Sequence, residues 1–374
     1  MDQFQLLIKP AGPDCNLNCS YCFYSKKSAL FPSTKVHRMD DKIVDAMVSQ
    51  ILSQRFPVSV FSWQGGEPTI AGIEFFRKVV AAQMKYGTKG QVVANSFQTN
   101  GYLLNDQWCS FFAEYKFFVG LSIDGPGELH DYHRKNFVGE GSWSNAYRAT
   151  GMLEKHKVEY NILSVISRAG QDKGKETLQW FIGNGFKYLQ FIPCVEVGDT
   201  SDVTDYSVTP KGYGQFLCDI FDVWHENLDK NVSIRDFDSI LEKIVLGRPS
   251  MCVYSVECGG YMVVEHDGSV YPCDFFVNPG DALGNVLTSN LADMYESKKY
   301  REFNKRKAIL PQCCVSCEYV NYCNNGCQKD RVGKNLPKGT QTYLCAGYKK
   351  FFGYALPRLK VVAEGIKTNM ENKK

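Results

Sequence analysis

Cys15-Asn16-Leu17-Asn18-Cys19-Ser20-Tyr21-Cys22 decides how the rest of this chain is read. Thiolates are soft ligands that select zinc or iron–sulfur clusters. Three of them in a Cys-x3-Cys-x2-Cys loop leave a four-ligand site incomplete, and a metal centre short of one protein ligand keeps a position open for chemistry. A zinc site would want a fourth ligand nearby, and the nearest histidine is His37. A second group, Cys252, Cys258, Cys273, Cys314, Cys317, Cys323, Cys327 and Cys345, is large enough for two complete four-thiolate sites. Two closed centres and one open, reactive centre are therefore expected. Cys109, Cys194, Cys218 and Cys313 are left over, and small buried hydrophobes are expected there. Cys313 adjoins Cys314, so spacing alone leaves the choice of ligand between them open.

The chain around these loops has 374 residues, 44% hydrophobic and 22% charged, with a net charge of +3. That length suits one large domain with a smaller one. No concentrated basic stripe suggests nucleic acid. The first residues lack the charged-then-apolar pattern of a signal peptide, and no apolar run approaches a membrane span. A cytoplasmic protein is expected, where clustered cysteines are metal ligands more often than disulfides.

Strand and helix patterns alternate through the first two-thirds. Leu6–Ile8, Val58–Trp63, Val92–Gln98, Phe117–Ile123, Val158–Ile166 and Phe186–Ile192 read as strands. Helical periodicity falls near 40–54, 75–84, 106–115, 144–156 and 175–183. Such alternation builds a parallel sheet with right-handed crossovers. Six or seven units, rather than eight, predict an open partial barrel with its site at the carboxyl ends of the strands. Gly65-Gly66-Glu67-Pro68, Thr99-Asn100-Gly101 and Asp124-Gly125-Pro126 all fall at those ends. Residues 209–247 look helical and bridging. Val263 to Val270 reads as a hairpin turning at Asp267-Gly268, and 348–366 as an amphipathic helix. His130 and His133, at i, i+3, lack a supporting carboxylate set and read as ordinary loop or helix residues.

The loop at Cys15–Cys22 resembles the signature of radical S-adenosylmethionine (SAM) enzymes, and Gln64-Gly65-Gly66-Glu67-Pro68 resembles the segment that holds the SAM amino group. The later cysteines resemble the SPASM extension of peptide-modifying members. Leu7-Ile8-Lys9-Pro10, Cys22-Phe23-Tyr24, Gln98-Thr99-Asn100-Gly101, Val119 to Pro126 and Gly268 to Phe275 extend the likeness through the chain, which is similar to the anaerobic sulfatase-maturating enzymes. That resemblance implies an α/β fold, a partial (β/α)6 barrel with a cysteine-rich SPASM domain. The divisions expected are barrel and bridging helix over 1–235, SPASM over 236–346 and a terminal helix over 347–374.

It further implies three [4Fe–4S] clusters and SAM. Cys15, Cys19 and Cys22 would hold the SAM-binding cluster. Cys252, Cys258, Cys273 and Cys327 would hold one auxiliary cluster, and Cys314, Cys317, Cys323 and Cys345 the other. Asp274 matches the family's catalytic base. Tyr21, Gly66, Ser122, Arg134 and Val195 fall where the family contacts SAM, Val195 through its backbone. The fork of Arg134 suits a carboxylate; the alternative is a surface salt bridge with Asp131 or Glu128. Tyr24 and Gln64 would line the substrate mouth, although Tyr24 could equally be a packing aromatic. A glycine pair at 65–66 would let the backbone approach a ligand closely.

The activity implied is oxidation of a Cys or Ser in a sulfatase to Cα-formylglycine. The substrate would be an unfolded Cys/Ser-x-Pro/Ala-x-Arg segment in a groove between barrel and cysteine domain. A flavodoxin or ferredoxin would supply electrons, and a monomer with no nucleic-acid or membrane partner is expected. Two competitors share many of these residues. One is a SPASM-type maturase that makes thioether or carbon–carbon crosslinks; Asp274 and the absence of a recognition domain before residue 15 weigh against it. The other is a zinc-ribbon scaffold, which would be colourless rather than brown.

Overall fold

The computed structural model describes residues 3–32, 35–198, 202–332 and 339–372. Its strands are β1 (Gln5–Ile8), β2 (Val58–Trp63), β3 (Val92–Thr99), β4 (Phe118–Ser122), β5 (Tyr160–Ile166), β6 (Tyr188–Pro193), β7 (Ser233–Ile234), β8 (Tyr261–Val264), β9 (Ser269–Tyr271) and β10 (Gly284–Asn285). The six strands read from the sequence are all present, within three residues at either end. Two compact units emerge, each assembled from separated stretches of chain.

The first unit comprises residues 1–123, 130–160 and 259–303. Its strands lie in the order β10-β9-β8-β1-β2-β3-β4. From β8 through β4 neighbouring strands are parallel, while β8, β9 and β10 form an antiparallel meander. Helices between the parallel strands cover the sheet as amphipathic crossovers must. The helix Asp41–Ser53 shows why: Asp40 caps it by accepting from the Ile43 N–H at 2.9 Å, and Ile43, Val44, Met47, Val48, Ile51 and Leu52 form one buried stripe. Phe97 on β3 anchors an aromatic core, its ring 5.0 Å from Phe76 and 4.8 Å from Phe112. The hairpin around Asp267-Gly268 forms as read, with Gly268 at φ +82°, a value that favours glycine.

Parallel pairing of β1 with β8 sets Ile8 opposite Val264. The strand ends therefore deliver Lys9 and Glu265 to one level, and the Lys9 N–H donates to the Val264 carbonyl at 2.9 Å. That register is what carries the hairpin leading to Cys273 to the start of the Cys15 loop.

The second unit comprises 124–129, 161–258 and 304–374. It holds the parallel trio β5-β6-β7 and three longer helices at Pro210–Glu226, Arg235–Leu246 and Cys345–Glu371. The stretch expected to be helical over 209–247 is thus interrupted by β7, which pairs with β6. Thr209 caps the first of these helices through the Gly212 N–H at 3.0 Å, with Pro210 at its first position. Gly214 and Gly347 let that helix meet the last one closely; a Cβ on Gly214 would lie 2.7 Å from the Gly347 Cα. Phe237 stacks on Phe351 at 5.6 Å beside it. The terminal helix is longer than 348–366, and the last two residues of the expected 347–374 segment lie outside those described. Among the described residues no helix is long and apolar enough to cross a membrane.

Candidate functional site

In the first unit the Cys15–Cys22 loop leaves β1 and is fixed by backbone from two sides. The Asn18 N–H donates to the Lys135 carbonyl at 2.7 Å and the Ser20 N–H to the His133 carbonyl at 3.1 Å. The Gly66 N–H donates to the Gly12 carbonyl at 2.8 Å, and the Glu67 N–H to the Asp14 carbonyl at 2.8 Å. A Cβ on Gly66 would sit 2.0 Å from the Asp14 carbonyl oxygen. The glycine at 66 thus lets two protein backbones approach closely.

Glu67 is fully buried and accepts from Thr69 N–H (3.0 Å), Thr69 Oγ1 (2.7 Å), Thr99 Oγ1 (2.8 Å) and Asn100 N–H (2.8 Å). It ties the end of β2 to the end of β3. Burial raises its pKa, against the pull of those donors. Asn100 in turn donates to Asn16 Oδ1 at 2.8 Å, inside the cysteine loop. The cysteine loop and the strand-end motifs at Glu67 and Asn100 are therefore hydrogen-bonded into one assembly. Burial, followed by the Glu67 charge, pushes the Cys15 thiol up to about 12.

Tyr21 and Arg134 meet here, the guanidinium carbon 5.5 Å from the ring centroid. Arg134 is buried, and the Asp131 carboxylate is occupied by the Ser142 and Trp143 N–H groups at 2.8 Å each. Ser122 ends β4, its hydroxyl accepting from Gln98 Nε2 at 3.0 Å. Gln64 is half-buried, its N–H donating to the Ile8 carbonyl at 2.8 Å. His133, read from sequence as ordinary, is buried; its Nδ1 lies 2.6 Å from Ser20 Oγ and its ring 4.9 Å from that of Tyr21. His130 is buried as well, with Nε2 3.0 Å from Ser142 Oγ. His37 is engaged by Asp14, Nδ1 to Oδ1 at 2.7 Å.

Tyr24, two residues beyond the loop, is buried and donates to both Glu265 oxygens at 2.6 Å. Lys9 Nζ covers its ring at 4.5 Å and has no hydrogen-bond partner among the described residues. Burial, partly offset by Lys9 and by the Tyr24 bond, pushes the Glu265 carboxyl up to about 7. Sequence reasoning missed Lys9 and Glu265 as a pair; their parallel-strand register was the missing information. Asp274 is buried, with Oδ1 3.2 Å from Tyr261 Oη and 3.6 Å from Cys273 Sγ. Tyr261 Oη is 3.1 Å from the same sulfur.

The remaining cysteines expected as cluster ligands lie in the second unit. Cys314, Cys317, Cys323 and Cys345 line one hollow together with Cys313, Tyr319 and Tyr348. Burial pushes the Cys314 thiol to about 12 and Cys323 to about 11. Cys252, Cys258 and Cys327 form another group, in which burial pushes Cys327 well above the ordinary range, with Asp330, Cys252 and Cys258 adding to it. Gln328 Nε2 donates to Cys258 Sγ at 3.2 Å. Among the described residues no three His, Cys, Asp or Glu converge as ligands of a single ion would; the thiols line a space instead. Buried soft donors of this kind fit a multi-iron cluster, whose charge would reverse the upward push on their pKa values. Val195 is buried between Cys194, whose N–H donates to the Ile166 carbonyl at 2.9 Å, and Glu196. Of the four spare cysteines, Cys109, Cys194 and Cys218 are buried as expected, but Cys313 is exposed. It precedes Cys314 on the same short helix and borders the same hollow.

Residues 10–181 match the Radical SAM superfamily, and residues 256–318 match the SPASM iron–sulfur cluster-binding domain. The chain is 40% identical over 370 residues to the cysteine-type anaerobic sulfatase-maturating enzyme of Clostridium perfringens, covering 98% of this chain and 100% of the relative. It is 34% identical to the serine-type enzyme of Bacteroides thetaiotaomicron, covering 94% of this chain and 89% of that one. The solved structure of native anSMEcpe with bound AdoMet and Kp18Cys peptide superposes with a TM-score of 0.90 at 40% identity, covering 97% of this chain and 100% of that one.

Proposed function

The chain belongs to the anaerobic sulfatase-maturating enzymes, radical SAM proteins with a partial (β/α)6 barrel and a SPASM extension, and from that membership we propose that it oxidises a Cys or Ser side chain of a sulfatase to Cα-formylglycine. Its substrate is a peptide segment, as in the likened structures with bound peptide; we assign it the unfolded Cys/Ser-x-Pro/Ala-x-Arg stretch. A small one-electron protein of flavodoxin or ferredoxin type would serve as donor, and the chain would act as a monomer.

The observation that carries the site is Asp274, a buried carboxylate next in sequence to Cys273 and 3.6 Å from its sulfur. We assign Cys15, Cys19 and Cys22 to a SAM-binding [4Fe–4S] cluster, Cys252, Cys258, Cys273 and Cys327 to one auxiliary cluster, and Cys314, Cys317, Cys323 and Cys345 to the other. We keep 1–235 as barrel, 236–346 as SPASM and 347–374 as terminal helix. Bound SAM and clusters supply a hydrogen-abstracting 5′-deoxyadenosyl radical and an acceptor for the electron the substrate gives up.

The protein's own part is positioning and proton transfer. Asp274 takes the thiol or hydroxyl proton of the target residue, which a base within hydrogen-bond reach can do. Tyr261 holds the Asp274 carboxylate at 3.2 Å. Arg134, beside Tyr21, suits the SAM carboxylate with its planar fork. Gly66 and Val195 present backbone, and Tyr24 and Gln64 border the substrate. Enclosing these groups keeps solvent away from a radical. The crosslinking alternative is disfavoured by identity running through the whole chain with sulfatase maturases.

The test is an anaerobic incubation of iron-reconstituted protein with SAM, a strong reductant and a sulfatase-motif peptide. Formation of 5′-deoxyadenosine with an aldehyde-bearing peptide is expected. Cleavage of SAM with the peptide unchanged would remove the sulfatase assignment, and protein holding zinc without acid-labile sulfide would remove the cluster assignment.

A further inference from the structure

We propose that Lys307 raises the reduction potential of the auxiliary cluster assigned to Cys252, Cys258, Cys273 and Cys327, suiting it to take the electron that leaves the substrate. This role presupposes the cluster assignment above and deepens it.

Lys307 is completely buried, where a lysine is rare unless paired. Its ammonium donates to the Ser255 carbonyl and, at 3.4 Å, to the Asn324 carbonyl. Ser255 lies between Cys252 and Cys258, and Asn324 directly follows Cys323. One cation therefore joins the loops of both cysteine groups. The Cys258 N–H donates to the Asn304 carbonyl at 3.2 Å, and Lys307 sits one turn further along the same stretch.

Two carbonyls satisfy hydrogen bonds but leave the charge uncompensated, and a buried charge without a counter-charge is costly. The ionisable groups that act on it most are the thiols of Cys258, Cys252 and Cys327 and the guanidinium of Arg331. Burial draws the Lys307 pKa down to about 8, and those thiols pull it back up. No carboxylate stands among them. The natural counter-charge is therefore thiolate sulfur, and these cysteines become thiolates when they bind metal. Arg331 reinforces the arrangement, donating to the Arg306 carbonyl at 3.3 Å and to the Lys307 carbonyl at 2.8 Å.

Reduction adds one negative charge to a cluster. A fixed ammonium in a poorly screened interior stabilises that added charge, and charge and sulfur hydrogen bonds are what set such potentials. The Gln328 bond to Cys258 acts in the same direction. In the reaction the target side chain gives a hydrogen atom to the radical, a proton to Asp274 and one electron to the acceptor, so a raised acceptor potential favours the last transfer.

The experiment is an EPR-monitored redox titration of the reconstituted full-length chain carrying C15A/C19A/C22A, so that only the auxiliary clusters titrate. K307M and K307R are compared in that background at matched iron and sulfide content. K307M is expected to move the midpoint of one auxiliary cluster to a more negative potential, while K307R stays near the parent. An unchanged midpoint in K307M with its clusters intact overturns the proposal. If K307M fails to retain iron, K307Q, which keeps a donor and drops the charge, is titrated and read the same way. Absence of acid-labile sulfide in the parent would instead overturn the cluster assignment, leaving the two failures distinguishable.

Discussion

The Tyr24 hydroxyl donates to both carboxylate oxygens of Glu265 at 2.6 Å, joining the end of the first cysteine loop to the strand that leads to Cys273 and Asp274. Both side chains are buried, so neither can replace the bond with water. Tyr24→Phe removes the donor and leaves the carboxylate short of a partner. Hydrogen bonds to charged groups contribute roughly 1.5–3 kcal/mol, and Y24F should lose stability on that scale. Urea denaturation checks it; an unchanged midpoint would show that the bond carries little.

Glu265 also makes stability depend on pH. Its carboxyl titrates at about 7 in the folded chain against an ordinary 4.5, chiefly because burial disfavours the charge. Between those values the folded state holds more protons than the unfolded state, so stability falls as pH rises. E265Q lacks this titration. The stability of the wild type relative to E265Q should therefore decline from about pH 5.5 to pH 7 and level off above. Urea midpoints of both proteins across pH 5.5–8.5 test it, and parallel curves would contradict it.

Much of this was legible in the sequence, and what was not had physical reasons. β2 matches its expected limits residue for residue, because alternation bounded by turn residues marks a strand strongly. β7, two residues long, carries no periodicity of its own and exists only because β6 offers it an edge. Glu67 was visible as part of a motif, but its bonds from Thr99 and Asn100 at the end of β3 were not, since they depend on parallel register. His133 read as an ordinary loop or helix residue because nothing in its neighbours announces that it will meet the Cys15 loop.

Gly66 tests whether backbone contact, rather than ligand contact, explains the glycine. A methyl group there would meet the Asp14 carbonyl oxygen at 2.0 Å, and that obstacle is backbone rather than the end of a flexible side chain. Overpacking typically costs about 1–3 kcal/mol, occasionally more. G66A should displace the cysteine loop and lower iron by one cluster's worth, even with SAM absent. Iron and sulfide assays of reconstituted protein decide it; full iron loading would return the glycine to a ligand role.

Cys313 and Cys314 separate cleanly by burial, the first exposed and the second buried with its thiol pushed to about 12. C313A should keep full iron and activity. C314A should lose one cluster and the peptide-oxidising activity, because a four-thiolate site short of one ligand binds metal far less well. The reverse pattern in iron content would exchange the two assignments.

Asp274 and Tyr261 form the last pair, the hydroxyl 3.2 Å from the carboxylate and 3.1 Å from the Cys273 sulfur. If Asp274 is the base, D274N keeps the shape of the site and removes the proton acceptor. General-base catalysis contributes roughly 10²–10⁴-fold, so aldehyde formation should fall within that range while iron content and 5′-deoxyadenosine release persist. Y261F removes only the group that holds the carboxylate, and should reduce turnover less. Both variants are read by counting aldehyde against 5′-deoxyadenosine in the same tube. Full aldehyde yield from D274N would sink the assignment, because a carboxamide cannot accept that proton at neutral pH.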